Sequence, residues 1–186
     1  QDVEKEVEEN IVTELETSTT NVIYGGDATT VGTLATGDII TPDVVAAAIQ
    51  KLEEGNYRPK FLIIHPTQKG ALIKDSQFVN ASEYGGREVI LNGEIGSYLG
   101  VKIIVTSNVN AKTVATNSWG ANGHWCHLLG QNQFNQNAAT IVWKEMPNYS
   151  YEYLTRYANH YIYADYAMDV ELLLEAAVCA IKVTDA

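Results

Sequence analysis

Apolar positions along the chain follow two periods, and the change between them divides it. Val3, Val7, Ile11 and Leu15 recur every fourth residue, while Asp2, Glu4, Glu6, Glu8, Glu9, Glu14 and Glu16 take the other faces. That spacing predicts a helix with one buried stripe and a solvated acidic surface. No good N-cap sequence introduces it, so Gln1 is expected to be a cut point with more chain before it. From Thr17 to Gly37 the period stops and Thr, Ser, Asn and Gly dominate. This stretch is expected to be a loop joining two lobes.

A second helix is signposted at both ends. Thr41 is suited to the N-cap, Pro42 to the first helical position, and Asp43 complements the positive end of the helix dipole. Val44, Val45, Ala48, Ile49 and Leu52 form its apolar face, and Gly55-Asn56 stops it. Phe61-Leu62-Ile63-Ile64 is polar on neither face, so it predicts a central strand flanked by helices, ending at His65-Pro66. A short helix follows from Thr67 to Lys74, turning Ala71, Leu72 and Ile73 inward. Residues 77–91, centred on Tyr84-Gly85-Gly86, read as an exposed loop.

The stretch Asn92–Val109 combines turns at Gly93, Gly96 and Gly100 with the β-branched run Val101–Val105, interrupted only by Lys102. It predicts a central strand buried on both sides behind a glycine-rich turn. Residues 108–122 are polar and turn-rich. A strand is expected over His124–Leu129, then an Asn/Gln-rich connector at 131–137, then a strand over Ala139–Glu145. Period two takes over at Tyr149, Tyr151 and Tyr153, and Tyr157, Tyr161, Tyr163 and Tyr166 follow. Alternating aromatic and β-branched residues predict long antiparallel strands. An apolar strand over Glu175–Val183 closes the chain, and no internal repeat is found.

Composition narrows the function classes. The 186 residues are 46% hydrophobic and 19% charged, which is the balance of a folded globular protein. A net charge of −11, with 12 scattered basic residues, weighs against direct nucleic-acid binding, because affinity for phosphates comes from Lys and Arg. Cys126 and Cys179 sit among apolar neighbours and are read as buried free thiols of a reducing cytoplasm. No signal-peptide pattern and no apolar run of membrane-spanning length is found.

Candidate chemistry is sparse. His124-Trp125-Cys126-His127 gathers three potential zinc ligands within four residues. A strand, however, turns His124 and Cys126 to one side and His127 to the other, and no second ligand pair accompanies them. His65 at a strand end could serve as a general base, but a histidine capping the strand with an ordinary backbone hydrogen bond is the better explanation. Gly96-Ser97-Tyr98-Leu99-Gly100 is not a nucleophile elbow, and the glycines of 93–100 lack dinucleotide-binding spacing. The tyrosines suit packing or a subunit interface better than a ligand wall.

Several segments, in their order, resemble the HK97-like major capsid proteins of tailed double-stranded DNA viruses. Asp43–Asn56, Arg58-Pro59-Lys60-Phe61-Leu62-Ile63-Ile64-His65-Pro66 and Ala71-Leu72-Ile73-Lys74 are similar to the helix–strand–Pro–helix unit of that family's A-domain. Asn92–Gly96 and Gly100–Val109 resemble its glycine-rich turn and strand, and Ala177–Val183 its last A-domain strand. The resemblance implies an α+β fold: a central mixed sheet flanked by helices, plus a spine helix and long antiparallel strands in a P-domain. It divides the chain into 1–36 (end of the spine helix and connecting loop), 37–145 (A-domain), 146–175 (P-domain strands) and 176–186 (closing strand). The family's N-terminal arm and E-loop are not in this sequence, so no crosslinking residue is carried over.

The function implied is that of a structural subunit self-assembling into an icosahedral shell around double-stranded DNA. Its partners would be further copies in hexamers and pentamers, together with scaffolding, portal or protease proteins, with no specific nucleic-acid contact and no membrane. The setting would be the virion capsid, assembled in the host cytoplasm. No enzymatic activity, catalytic residue, cofactor or metal is implied. The rivals are an encapsulin-like compartment shell, a small α/β enzyme using His65 or the His124/Cys126/His127 cluster, and a metal-binding accessory domain. Elemental analysis after chelation tests the cluster: no stoichiometric metal is expected, and a retained equivalent would revive it.

Overall fold

In a computed structural model the chain is described over residues 2–18, 20–75, 97–109, 111–113, 122–154, 156 and 159–185. Helix α1 spans Asp2–Glu16. Leu15 of its apolar stripe and the neighbouring Val12 enter the interior, while Val3, Val7 and Ile11 are half-buried. The four-residue period at the N-terminus thus becomes a helix covering part of a sheet.

That sheet has six strands in the order β1-β10-β7-β2-β4-β3. They are β1 (Asn21–Tyr24), β2 (Arg58–Ile64), β3 (Ser97–Tyr98), β4 (Val101–Val105), β7 (Cys126–Gln131) and β10 (Val178–Lys182). β1 runs parallel to β10, and β2 parallel to β4, while β7 is antiparallel to both β10 and β2. A mixed sheet with helices against it is the fold the sequence predicts.

Two helices connected through β2 define one side. In α2 (Pro42–Glu54), the Thr41 hydroxyl accepts from Val44 N at 3.3 Å, with Pro42 at the first turn. Val45, Ala48, Ile49 and Leu52 are buried, joining Leu62, Ile64, Val101, Ile103, Leu128, Cys126, Cys179 and Ile181 in one core. α3 (Pro66–Lys74) adds Ala71 and Leu72. On the opposite side Leu15, Ile63, Val109, Ala138, Ala177 and Val178 form a smaller cluster. Alternate residues of β2 therefore feed two cores, as period two requires.

Outside the sheet, β5 (Ala111–Thr113) pairs with β6 (Asn122–His124). A long ribbon pairs β8 (Ala139–Leu154) with β9 (Asn159–Leu172). The Tyr-rich period-two stretch is this ribbon.

Five expectations are corrected. Residues 17–37 are not all loop: Asn21–Tyr24 forms edge strand β1, ordered by pairing with β10 rather than by local propensity. Val101–Val105 is a strand but is not buried on both sides. Val101 and Ile103 are covered, whereas Ile104 and Val105 are 39% and 37% exposed. Among the described residues only the two-residue β3 lies beyond β4, and α1 reaches this end with an open cleft left between Glu8, Ile11 and Val12 and the Ile104–Val105 edge. His124–Leu129 is broken at Trp125 into β6 and β7, which belong to different sheets. The strand expected at 139–145 continues through the tyrosines as one sixteen-residue strand, with register shifts between Trp143 and Asn148 beside Pro147. Glu175–Ala177 is a 3₁₀ turn, so β10 begins only at Val178.

Part of the Asn92–Val109 reading lies outside the described residues, as do the loop at 77–91 and residues 114–121. What is described confirms the Gly100 turn. Leu99 and Gly100 have φ of 49° and 79° between the paired Tyr98 and Val101, a two-residue hairpin in which glycine removes the steric penalty at one position. Among the described residues no helix is long and apolar enough to cross a membrane.

The buried face of β4 yields a direct test. Val101→Asp or Ile103→Asp places an unpaired carboxylate in the main core and should cost more than about 4 kcal/mol, enough to abolish folding. Soluble variants with native circular dichroism and cooperative melting would contradict this placement.

Candidate functional site

Two regions qualify: the histidines singled out in the sequence, and the ribbon. His65 sits at the junction of β2 and α3, where its extended backbone and Nδ1 make it the N-cap of α3. Thr67 N donates to Nδ1 at 3.2 Å, and the Thr67 hydroxyl lies 2.8 Å away. His124, at the end of β6, stacks on it with ring centroids 3.6 Å apart and planes within 3°. Its Nδ1 reaches both Asp185 oxygens, at 2.8 and 3.0 Å. The fully buried Gln68 donates from Nε2 to Asp185 Oδ1 at 2.8 Å.

Two of the predicted site residues are therefore brought together and two are not used. Cys126 is buried beside the pair, and burial pushes its thiol up to about 12, so it carries no thiolate at neutral pH. His127 points to the other face of the sheet, paired in register with Ile63 and Ala180, and is fully buried. Parallel stacking also sets the in-plane lone pairs of His65 and His124 side by side rather than convergent on one point. Among the described residues no group of three His, Cys, Asp or Glu side chains is arranged to hold a metal.

Burial, followed by the neighbouring His124, holds the His65 pKa below its ordinary value, with Asp185 acting in the opposite sense. This favours the neutral ring that the N-cap needs. Asp185 and Gln68 were not identified from sequence. They lie 61 and 56 residues from His124, and only the C-terminal tail's return across the sheet end joins them.

The ribbon is the second region. Opposed residues of an antiparallel pair share a face, so Tyr149, Tyr151 and Tyr153 lie with Ala164, Ile162 and His160. Tyr151 and Tyr153 pack on the His160 ring at centroid distances of 5.3 and 4.7 Å, and the Tyr151 hydroxyl hydrogen-bonds His160 Nδ1. Nothing else covers this face among the described residues. Tyr149, Tyr151 and Ile162 are 65%, 64% and 75% exposed.

Nearer the body, α1 runs along β9 and covers the same face. Asn10 and Thr13 approach Met168 and Val170, and Trp143 packs on Tyr166 at 6.4 Å. Glu6 beside the Tyr166 hydroxyl favours the neutral phenol and holds its pKa up at about 12. One aromatic and apolar face thus continues from beneath α1 onto an open ribbon. Sequence periodicity found this face; its lack of cover is a tertiary fact.

Comparisons agree with this arrangement. A family model described as phage capsid protein matches residues 1–170. A comparison with curated proteins finds no match. Among solved structures, the capsid of Ralstonia phage GP4 is similar with a TM-score of 0.67 at 14% identity, covering 98% of this chain and 64% of that one. The acid-stable capsid of Helicobacter pylori bacteriophage KHP30 gives 0.66 at 11%, covering 97% and 66%. The SrpI encapsulin complex of Synechococcus elongatus gives 0.63 at 15%, covering 98% and 62%. This chain spans less than two thirds of the length of each. At such identities the likeness establishes a common fold, the HK97-like one. The family model, matching all but the last sixteen residues, settles membership: the chain belongs to the phage capsid protein family.

Proposed function

We propose that the chain acts as a shell subunit of an icosahedral capsid enclosing double-stranded DNA, and that it works by self-assembly without enzymatic turnover. The observation carrying this reading is the uncovered ribbon. A two-stranded ribbon is marginal in water on its own, yet β8 and β9 extend for 16 and 14 residues with a tyrosine-rich face open to solvent. Monomeric proteins rarely leave contiguous apolar area of this kind uncovered. Tyrosine offers large contact area together with a polar tip, which suits subunit interfaces.

The partner proposed for that face is further copies of the same subunit, arranged in hexamers and pentamers. Contacts that are individually modest then sum over a closed symmetric assembly. The residue ranges 1–36, 37–145, 146–175 and 176–186 are proposed as the P-domain start, A-domain, P-domain strands and closing strand. A net charge of −11 supports a lining that does not grip packaged DNA. Assembly in the host cytoplasm, with scaffolding, portal or protease proteins taking part, belongs to the same proposal.

The fold likeness to an encapsulin supports a second reading, a compartment shell without a genome. Both predict closed particles when the complete coding sequence is expressed and viewed by electron microscopy. A strictly monomeric product across a range of salt concentrations would overturn both. Double-stranded DNA recovered from particles of native origin favours the capsid; protein cargo without a genome favours the compartment.

The ribbon face is tested separately. Tyr149→Thr combined with Ile162→Thr changes only exposed positions, keeps strand-forming residues and leaves the Tyr151–His160 contact in place, so stability should stay within about 1 kcal/mol of the parent. Particle yield should fall at least tenfold. Normal particles from the double variant would exclude this face from the interface.

A further inference from the structure

The contacts around His65 are built from four separate parts of the chain, and their chemistry depends on one proton. The C-terminal tail after β10 is threaded through the sheet end. Thr184 N donates to Asp38 O at 3.0 Å, the Thr184 hydroxyl to Ala35 O at 3.2 Å, and Gln68 Nε2 to Asp185 Oδ1 at 2.8 Å. Gly123 of β6 lies so close that a Cβ there would meet Val183 O at 2.3 Å. Val183 and Thr184 are fully buried. We propose that the stacked His65–His124 pair and the Asp185 carboxylate form an acid-operated latch holding β6 against α3 and the C-terminal tail.

Its closed state needs His65 neutral. Nδ1 accepts the Thr67 amide, so the ring proton resides on Nε2; an imidazolium carries N–H on both nitrogens and has no acceptor left for the cap. Protonation therefore removes the side-chain cap of α3. It also places a cation face to face with the His124 ring at 3.6 Å. His65 Nδ1 thus serves as an acceptor toward the Thr67 amide, whereas His124 Nδ1 faces the Asp185 carboxylate.

The surroundings contain few opposing charges. From α3 come Thr67 and Gln68, from β6 His124, and from the tail Asp185, which is already shared between His124 and Gln68. From β7 comes Cys126, whose thiol stays neutral with its pKa at about 12. The Lys182 ammonium lies over the Trp125 ring, 4.2 Å from its centroid, and the Asp38 carboxylate accepts from Ala35 N at 2.8 Å. A ring freed into water takes up its proton near 6.5, whereas His65 in place takes it up below that value. Between the two, the opened state binds more protons, so closure is complete above 6.5 and lost as pH falls through the lower value.

The latch concerns the fold of one subunit and does not rest on the shell reading, so it is tested on the 186-residue chain kept unassembled. Hydrogen exchange, corrected for intrinsic rates, is followed over 65–72 and 122–131 from pH 7.5 to 5. Protection in both segments should fall as the pH drops below 6.5, while β8 and β9 keep theirs. In His65→Asn, whose Oδ1 retains the cap but does not titrate, the loss should disappear. The histidine Cε1–H resonances of the unmodified chain give an independent readout: His65 should titrate below 6.5, together with the loss of protection. Unchanged protection down to pH 5, an equal loss in His65→Asn, or His65 titrating at its ordinary value without opening would each overturn the latch.

Discussion

The structure depends on the burial of one strand. β2 pairs with β4 on one side and β7 on the other, and Leu62 and Ile64 are completely excluded from water. A strand in that position must be covered on both faces, because its side chains alternate between them. The helix before it supplies one cover and the helix after it starts two residues beyond its end, so α2, β2 and α3 form a single local unit. The rest of the six-stranded sheet is arranged about it: β4 and then β3 add on one side, and β7, β10 and β1 extend it on the other. Removing β2's apolar run would leave the two cores without the strand they share.

Cover is distributed unevenly, and the uneven part concerns function. The sheet is sandwiched by α2 and α3 on one face and partly by α1 on the other. The ribbon has α1 along its base and nothing described along its outer half. Each fully buried aliphatic side chain stabilises the body by about 1.5–3 kcal/mol, which the ribbon's Tyr149, Tyr151 and Ile162 largely forgo at 64–75% exposure. The free energy not gained within one subunit is available on contact with another. The same sequence therefore specifies a body covered by its own helices and a ribbon whose outer half is open among the described residues.

Legibility in the sequence followed the range of the interactions. α1, α2 and α3 were readable because their signals are local: a four-residue stripe, the Thr41-Pro42 start and the His65-Pro66 junction. The ribbon was readable because period two persists in its tyrosines. β1 was missed because Asn-Val-Ile-Tyr within a Thr/Gly-rich stretch has no strand signal until β10 is beside it. The open side of β4 was missed because a β-branched run looks alike whether one or both faces are covered. The His65–His124–Asp185 arrangement was only half readable. Two histidines were singled out as chemistry, but their partner carboxylate comes from the far end of the chain.

That last point bears on what the residues most like a catalytic centre are engaged in. A carboxylate orienting a histidine is the support of a general base, but a base needs a nucleophile or substrate in reach of its free nitrogen. Here the stacked ring occupies the space above His124, the nearby thiol of Cys126 is held protonated by burial, and His127 faces away through the sheet. The polar groups are instead consumed in joining α3, β6 and the tail. Histidine suits such a joint because one proton converts it from acceptor to donor, so the connection is conditional where a methionine or leucine would make it permanent. Among the described residues the polar groups of this region join parts of one chain, while the apolar face of the ribbon is left open.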